Sequence, residues 1–374
     1  MKWKEWLLLS LAIILFAGGG YALFEYRSGK STQTQAGNTE AGSATSTGKG
    51  QTSAGNMPKE LQAQIEQWPA DKPYAHLWVT RDYGHHTLFA KVVPIEANDT
   101  VMDVLTRQVK EVKTSYGGGF VDSILGLAST YKPGDASSKK QDWFYYVNGR
   151  MADVGAREYP IATGDVIWWD YHEWGEGTFD SKSIAAAYPH PFVPRGQEQP
   201  APLVIMAAKG FEKQADQVAQ AISKVRGQSV TAAAWDENRF QTDTDSTVIV
   251  VGDSKSLASS AFLQEISQDK GSVGLLVDLT AEGITSYDSH GKKVKTYTEP
   301  NTGAIISATN PYSGMPLWIV AGTGAEGVDV AAEAFHTSEQ PAAPKWYAHV
   351  GVLFEGHPSQ SVRLPVLAGN GTQQ

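Results

Sequence analysis

Three hydrophobic patterns follow one another along the chain. A continuous apolar run occupies 6–24, broken only by Ser10 and Gly18-Gly19-Gly20. Period-two alternation dominates the next ordered stretch: over 74–80, Ala75, Leu77 and Val79 oppose Tyr74, His76 and Trp78, the signature of a strand. Asp82-Tyr83-Gly84-His85 offers a turn, and 87–95 reads as the returning strand of a hairpin. Thr100, with Asp103 three residues on, forms a capping box. It opens a helix whose apolar face carries Val101, Val104, Leu105, Val109 and Val112, and which Tyr116-Gly117-Gly118-Gly119 ends. Strands over 120–127, 143–147 and 166–174 complete the unit. Hairpin, helix, then further strands is the order of a β-grasp, with one helix lying across a mixed sheet.

The third pattern begins after the prolines of 191–202. Apolar strand runs at 203–207, 247–251, 273–279 and 317–321 alternate with amphipathic segments at 211–226, 256–267 and 325–335. That alternation predicts a small α/β layered domain with a largely parallel sheet. The fold class is thus α+β: a β-grasp-like domain, then a small α/β layered domain, with an N-terminal transmembrane helix. The expected boundaries are 1–27 for a membrane anchor or signal segment, 28–56 for a flexible linker and 57–190 for the β-grasp domain. They continue with 191–202 for a Pro-rich linker, 203–340 for the α/β domain and 341–374 for a C-terminal extension.

The apolar run at 6–24 nearly matches the roughly 20 residues that cross a bilayer. Lys2 and Lys4 hold its start in the cytoplasm, which sends everything after Arg27 outward. A cleaved signal peptide leaving at Ala17-Gly18-Gly19 is the alternative, but Tyr21-Ala22-Leu23-Phe24 continues the run past that exit, and an uncleaved single-pass anchor is favoured. The Ser, Thr, Gly, Gln and Asn of 28–56 have no core to bury and read as a tether. These features place the bulk of the chain outside the cell.

A formal net charge of -9 argues against nucleic acid as a partner. With no cysteine, disulfides, thiolate metal sites, thiol catalysis and a lipid-modified N-terminal cysteine are all excluded.

Aromatic residues are densest in Asp142-Trp143-Phe144-Tyr145-Tyr146-Val147-Asn148-Gly149 and in Gly164-Asp165-Val166-Ile167-Trp168-Trp169-Asp170-Tyr171-His172-Glu173-Trp174. On the first run Trp143, Tyr145 and Val147 share a face, opposite Phe144, Tyr146 and Asn148. On the second, Ile167, Trp169 and Tyr171 are the apolar choice for packing under the helix. Trp168, His172 and Trp174, interrupted by Asp170, are then expected as an outward aromatic stripe. Such a stripe is either a binding surface or is covered by the second domain or the proline-rich segment. Asn148-Gly149 and Gly164-Asp165 are turn signals first and ligand contacts second.

The order Trp-x-Tyr-Tyr-x-Asn-Gly, then Gly-Asp-x-Ile-x-Trp-x-Tyr, resembles the transcobalamin-like C-terminal domain, over about 74–174. The resemblance implies a ligand-binding surface protein, not an enzyme, with cobalamin or a related corrinoid as candidate ligand and a membrane vitamin transporter as candidate partner. The residues assigned to the ligand are Trp143, Tyr145, Tyr146, Asn148, Trp168, Tyr171, His172 and Trp174. The chain has no helical repeat domain of the kind with which the vertebrate carriers close over cobalamin, so the α/β domain or a partner would supply the other jaw. No further cofactor is specified. The alternative function is a surface interaction or adhesion module that binds protein or glycan through exposed aromatics.

Other motifs have structural readings. His85-His86, His172 and His190 lack the converging partners of a metal site; for His172 a solvated side chain is favoured over a ligand to cobalt or a contact with a corrin. Gly322-x-Gly324-x-x-Gly327 reads as a tight turn rather than a dinucleotide fingerprint. In Gly252-Asp253-Ser254 the side chains are expected to cap the following helix.

Overall fold

The alternating segments of the first half assemble around one helix. β1 (Tyr74–Arg81) pairs antiparallel with β2 (His86–Pro94), and α1 (Lys59–Glu66) precedes them. Thr100 caps α2 (Val101–Gln108) through the capping box its sequence announces, accepting from the Asp103 amide at 3.3 Å while Asp103 accepts from the Thr100 amide at 3.0 Å. The computed structural model describes residues 57–131, 140–336 and 344–367, so the expected anchor over 1–27 and tether over 28–56 lie outside the described residues. Among the described residues no helix is long and apolar enough to cross a membrane.

α2 is shorter than its apolar spacing suggests. Val109 turns extended, Glu111 takes a positive φ of 60°, and the chain re-forms as β3 (Val112–Ser115). Val109 is still buried and Val112 still packs on the same cluster, but both reach it from extended backbone. β3 joins β4 (Phe120–Ile124) and β5 (Leu127–Ala128) in a small antiparallel meander rather than extending the main sheet.

β6 (Gln141–Val147), β7 (Arg150–Met151) and β8 (Val166–Glu173) complete the first sheet in the order β2-β1-β8-β6-β7. β8 runs parallel to β1 and antiparallel to β6, so the two aromatic motifs are neighbours, with Tyr146 opposite Trp168 and Tyr145 opposite Trp169. Ile167, Trp169 and Tyr171 face α2 and pack with Leu77, Val104 and Leu105.

The second half alternates as expected through β9 (Leu203–Ala207), α3 (Glu212–Arg226), β10 (Ala232–Ala234), α4 (Arg239–Thr242) and β11 (Thr247–Asp253). α5 (Ser254–Leu257), α6 (Ala261–Gln268), α7 (Lys270–Val273), β12 (Val277–Thr280), β13 (Gly283–Tyr287) and β14 (Lys293–Tyr297) follow. β15 (Thr302–Thr309), β16 (Pro316–Gly322), α8 (Ala325–Glu333), β17 (Gly351–Glu355) and β18 (Ser361–Leu364) close the fold.

The large sheet runs β10-β9-β11-β16-β15-β17-β18. It is parallel from β10 to β16 and antiparallel from β16 to β18, so it is mixed rather than largely parallel. In β15 only Ile305 and Ile306 are large apolar residues, set among Gly, Ala, Ser and Thr, so the strand lacks the long apolar run that marks its neighbours. Altogether the described residues form a mixed α+β structure of several sheets and few helices.

One face of the large sheet is covered by α3 and α8, with Ile249, Val251, Trp318 and Val320 in their shared cluster. α8 lies so close to the sheet that a Cβ on Gly327 would sit 2.1 Å from the Thr302 carbonyl oxygen, which accounts for the glycine spacing there. The opposite face, including Val250 and Ile319, belongs to a cluster that also holds Trp78, Tyr146 and Trp168 of the first sheet. All described residues fall in one compact unit. The proline-rich segment contributes a buried Phe192, whose ring lies 5.0 Å from Trp318.

Candidate functional site

The expected outward stripe is not exposed. Trp168 is 1% and His172 5% accessible, because the chain from Phe179 to Ala187, together with Tyr347 and Ala348, lies over that face of the first sheet. Only Trp174 stays half-buried, at the strand's end, with the Tyr131 ring 5.4 Å away and the Lys140 ammonium 5.2 Å from its own ring centre.

Burial obliges polar atoms to find partners, and those of Trp168, Asp170 and His172 do, whereas Trp174 Nε1 has none. Trp168 Nε1 donates to Thr80 Oγ1 at 2.6 Å, and Thr80 donates onward to Asp170 Oδ1. The Asp170 carboxylate also accepts from the Tyr83 amide at 2.9 Å, the Gly84 amide at 3.0 Å and His172 Nδ1 at 2.8 Å. Burial alone would raise the Asp170 pKa, but His172, Thr80 and the Gly84 amide together hold it below the ordinary carboxylate value. Because an ionised carboxylate can only accept, His172 Nδ1 is the donor of this pair. The imidazole lies between two rings, 4.3 Å from Tyr83 and 4.4 Å from Phe144, both nearly parallel to it. The sequence reading of a solvated His172 is therefore corrected: it is a stacked, hydrogen-bonded core group. His85 is also a hydrogen-bonded group of this seam: its Nε2 lies 2.8 Å from the Pro365 carbonyl and burial lowers its pKa to about 4.

On the α2 face, Trp143 Nε1 donates to the Leu127 carbonyl at 2.9 Å and Tyr171 donates to the Ala128 carbonyl at 2.7 Å. Tyr145 stacks on Trp169 at 4.9 Å and donates to the Val154 carbonyl. Tyr146, on the opposite face, lies 5.3 Å from Trp168, and burial raises its pKa. The eight assigned residues thus divide between two sheet faces and the strand end and do not converge on one surface.

Asn148 is the exception, because it sits beside an open cleft. Its residue and Gly149 take positive φ angles of 54° and 81°, the turn that Asn-Gly favours. Its Nδ2 donates to Asp165 Oδ1 at 2.7 Å while its Oδ1 accepts from the Val166 amide at 2.9 Å. The two turn motifs singled out in the sequence are therefore tied to each other. Arg195 closes the arrangement with three bonds to Asp165: Nε donates to Oδ1 at 3.0 Å and to Oδ2 at 3.1 Å, and Nη2 to Oδ2 at 2.8 Å. Its guanidinium centre lies 5.4 Å from the Tyr159 ring centre. Burial opposes the Arg195 charge, but Asp165 more than compensates and raises its pKa.

The cleft has a volume of about 180 Å³, and Asn148, Arg150, Tyr159, His190 and Arg195 line it along with Met315 and with Glu198, whose carboxylate lies 3.6 Å from Arg195. Burial lowers the His190 pKa to about 4 against the opposing pull of Asp165, so the imidazole is neutral near pH 7. Arg150 makes only weak contacts, to the Gly314 carbonyl at 3.4 Å and Met315 sulfur at 3.7 Å. A rigid guanidinium, a less constrained one, a neutral imidazole and a phenol ring suit recognition of a polar or anionic group. Sequence reasoning missed Arg150, Tyr159, His190 and Arg195. Arg195 carried one signal, as the sole cation among the prolines of 191–202.

The remaining motifs keep structural roles. Asp253 caps α5 by accepting from the Ser256 amide at 2.8 Å, and Ser254 Oγ is buried with no hydrogen-bond partner. Among the described residues no three His, Asp or Glu side chains are placed to hold a metal ion.

Comparison with known proteins adds a family for one segment. Residues 98–173, about a fifth of the chain, match the model of a domain of unknown function, DUF4430. That span runs from α2 through β8. No curated protein matches the chain. A solved structure from Ruminococcus gnavus, described provisionally as that of a metal-binding protein, is 17% identical and covers 28% of this chain and 100% of its own. Its TM-score is 0.21.

Proposed function

We propose that this protein is a membrane-anchored extracellular binding protein that captures a small molecule, with recognition centred on the cleft beside the Asn148-Gly149 turn. The observation that carries this reading is the junction itself. Asn148, Asp165 and Arg195 lock two loops and the proline-rich segment into one wall, and Arg150, which lines the same cleft, has only neutral hydrogen-bond partners. Preorganised walls of this kind spare the ordering cost of binding. The segment matched by DUF4430 overlaps the one that resembles the transcobalamin-like domain, and a corrinoid such as cobalamin is the ligand that this resemblance alone implies.

The size of the cleft limits how such a ligand would sit. Pockets that enclose a whole drug-sized ligand run from about 300 to 1,000 Å³, and this one is about 180 Å³. It would take a peripheral group, such as the phosphodiester of a cobalamin nucleotide loop, and leave the corrin ring against the rim. A membrane vitamin transporter is the partner this role calls for. The reading is one of binding and not of catalysis.

Calorimetric titration with cobalamin, cobinamide and haem tests the proposal. Cobalamin should bind more tightly than cobinamide, which lacks the phosphodiester. Absence of binding by every corrinoid and porphyrin at high micromolar concentration would sink it.

A specific observation favours a second reading, a surface interaction module. Tyr116 is 71% exposed, Phe120 43% and Val154 42%, and their turns adjoin, since a Cβ on Gly155 would lie 3.8 Å from the Gly119 carbonyl oxygen. Retention on immobilised glycan or protein that falls in Phe120→Ser and is untouched in Arg150→Ala would favour this reading over the first.

A further inference from the structure

A second, larger cavity lies in the other half of the molecule and belongs to no motif found in the sequence. Its volume is about 300 Å³, and its apolar lining is Leu257, Leu263, Leu275, Leu279 and Ile319. Three segments build it. α5 and α6 carry Leu257 and Leu263, the chain around β12 brings Leu275 and Leu279, and β16 supplies Ile319 as the floor. Leu257 and Ile319 are fully buried, so the space opens above a finished layer of core.

Protein interiors rarely leave room of this size beside aliphatic side chains. A cavity of roughly half that volume, lined by Leu, Ile and Phe, is enough to admit a benzene molecule. The polar part of the lining is uncharged: Gln264, Ser267 and Gln268 occupy the rim from one face of α6. Two of them are already oriented. Gln264 Nε2 donates to the Ala258 carbonyl at 2.7 Å, and Ser267 Oγ donates to Asp278 Oδ1 at 3.0 Å. Asp278 itself is neutralised by Lys270 at 2.9 Å and does not line the cavity.

We propose that this cavity is a binding site for a small neutral molecule with an apolar body, a single ring or short aliphatic chain, and one hydrogen-bonding head group. The body lies on Leu257, Leu263 and Ile319, and the head meets the amide and hydroxyl rim. A charged head would lose its hydration with no opposite charge to receive it, so the site discriminates against acids and amines. The ligand class differs from that of the cleft at Arg195, and the two proposals stand or fall separately.

Phenylacetamide and phenylacetate are matched probes for the full-length protein. Methyl resonances of Leu257, Leu263 and Ile319 should shift on titration with phenylacetamide at millimolar concentration, and phenylacetate should bind at least about tenfold more weakly for want of a counter-charge. Leu263→Trp fills the space and should abolish the shifts without lowering the melting temperature. If that variant fails to fold, Ala258→Leu narrows the same cavity more gently and should weaken phenylacetamide binding. No methyl shift with phenylacetamide, or undiminished binding in the filled variants, overturns the site. Equal binding of the two probes overturns the selectivity for neutral ligands.

Discussion

On one face of β8, Ile167, Trp169 and Tyr171 pack beneath α2 among aliphatic side chains. On the other, Trp168, Asp170 and His172 meet a seam assembled from segments distant in sequence, with Tyr347 and Ala348 among them. Both faces are buried, but what each burial demands is different. The α2 face pairs the Trp143 N–H and the Tyr171 O–H with nearby carbonyls, leaves Trp169 Nε1 buried without a partner, and depends mainly on apolar burial. The seam encloses an ionised carboxylate and several histidines held neutral, so its stability depends on charge as well as area. Of the two faces, the seam is the one that solution conditions can act on.

Truncation on either face should be costly, which is the sharpest way to break the comparison. Trp168→Ala and Trp169→Ala are each expected to lower unfolding free energy by about 3–5 kcal/mol in urea titrations, the cost of a large core truncation. A loss under about 1 kcal/mol for Trp168→Ala would mean that the seam is not core, given how little surface substitutions usually cost. Asp170→Ala should cost a similar amount, about 3–5 kcal/mol, by leaving its donors buried and unpaired. Asp170→Asn, which keeps acceptor capacity, should cost less.

Acid separates the faces further. Burial lowers the pKa of His76 to about 3 and of His85 and His190 to about 4, while the Arg363 charge adds to burial at His349 and His85. A histidine whose folded pKa lies below its unfolded value near 6.5 favours the unfolded state as pH falls. Stability from these groups is complete above about pH 6.5 and is lost towards pH 4 and below, by up to about 1.4 kcal/mol per pH unit for each histidine. The depressed carboxyls of Asp170 and Asp99 act in the same direction but lower, once pH falls through their folded values. Urea midpoints measured across this range should fall first in the histidine window. A flat profile down to pH 4 would contradict the buried neutral histidines. The smallest effect belongs to the α2 face: Thr100→Ala should cost about 1 kcal/mol through the lost cap and leave the pH profile unchanged.

Local patterning made the first half legible and hid the seam. Alternation placed Trp169 under α2 and Trp168 opposite, and Thr100 with Asp103 marked the helix start. Period two says which residues share a face but not what covers that face, and the cover here comes from residues 179–187 and 347–348. For the same reason Asn148-Gly149 and Gly164-Asp165 were legible as turns, but their union through Arg195 was not, since that contact spans 30 residues. The end of α2 was misplaced because Val109 and Val112 keep a helical spacing while occupying extended backbone.

The measurement closest to the central claim is the cobalamin dissociation constant of the full-length protein and of Arg150→Ala, compared by calorimetry. Arg150 is exposed and has only weak neutral contacts, so the variant should keep its fold. The cleft proposal predicts binding by the parent protein and about a tenfold or greater loss in the variant, the scale of one charge-assisted hydrogen bond. Equal dissociation constants for the two proteins would contradict it.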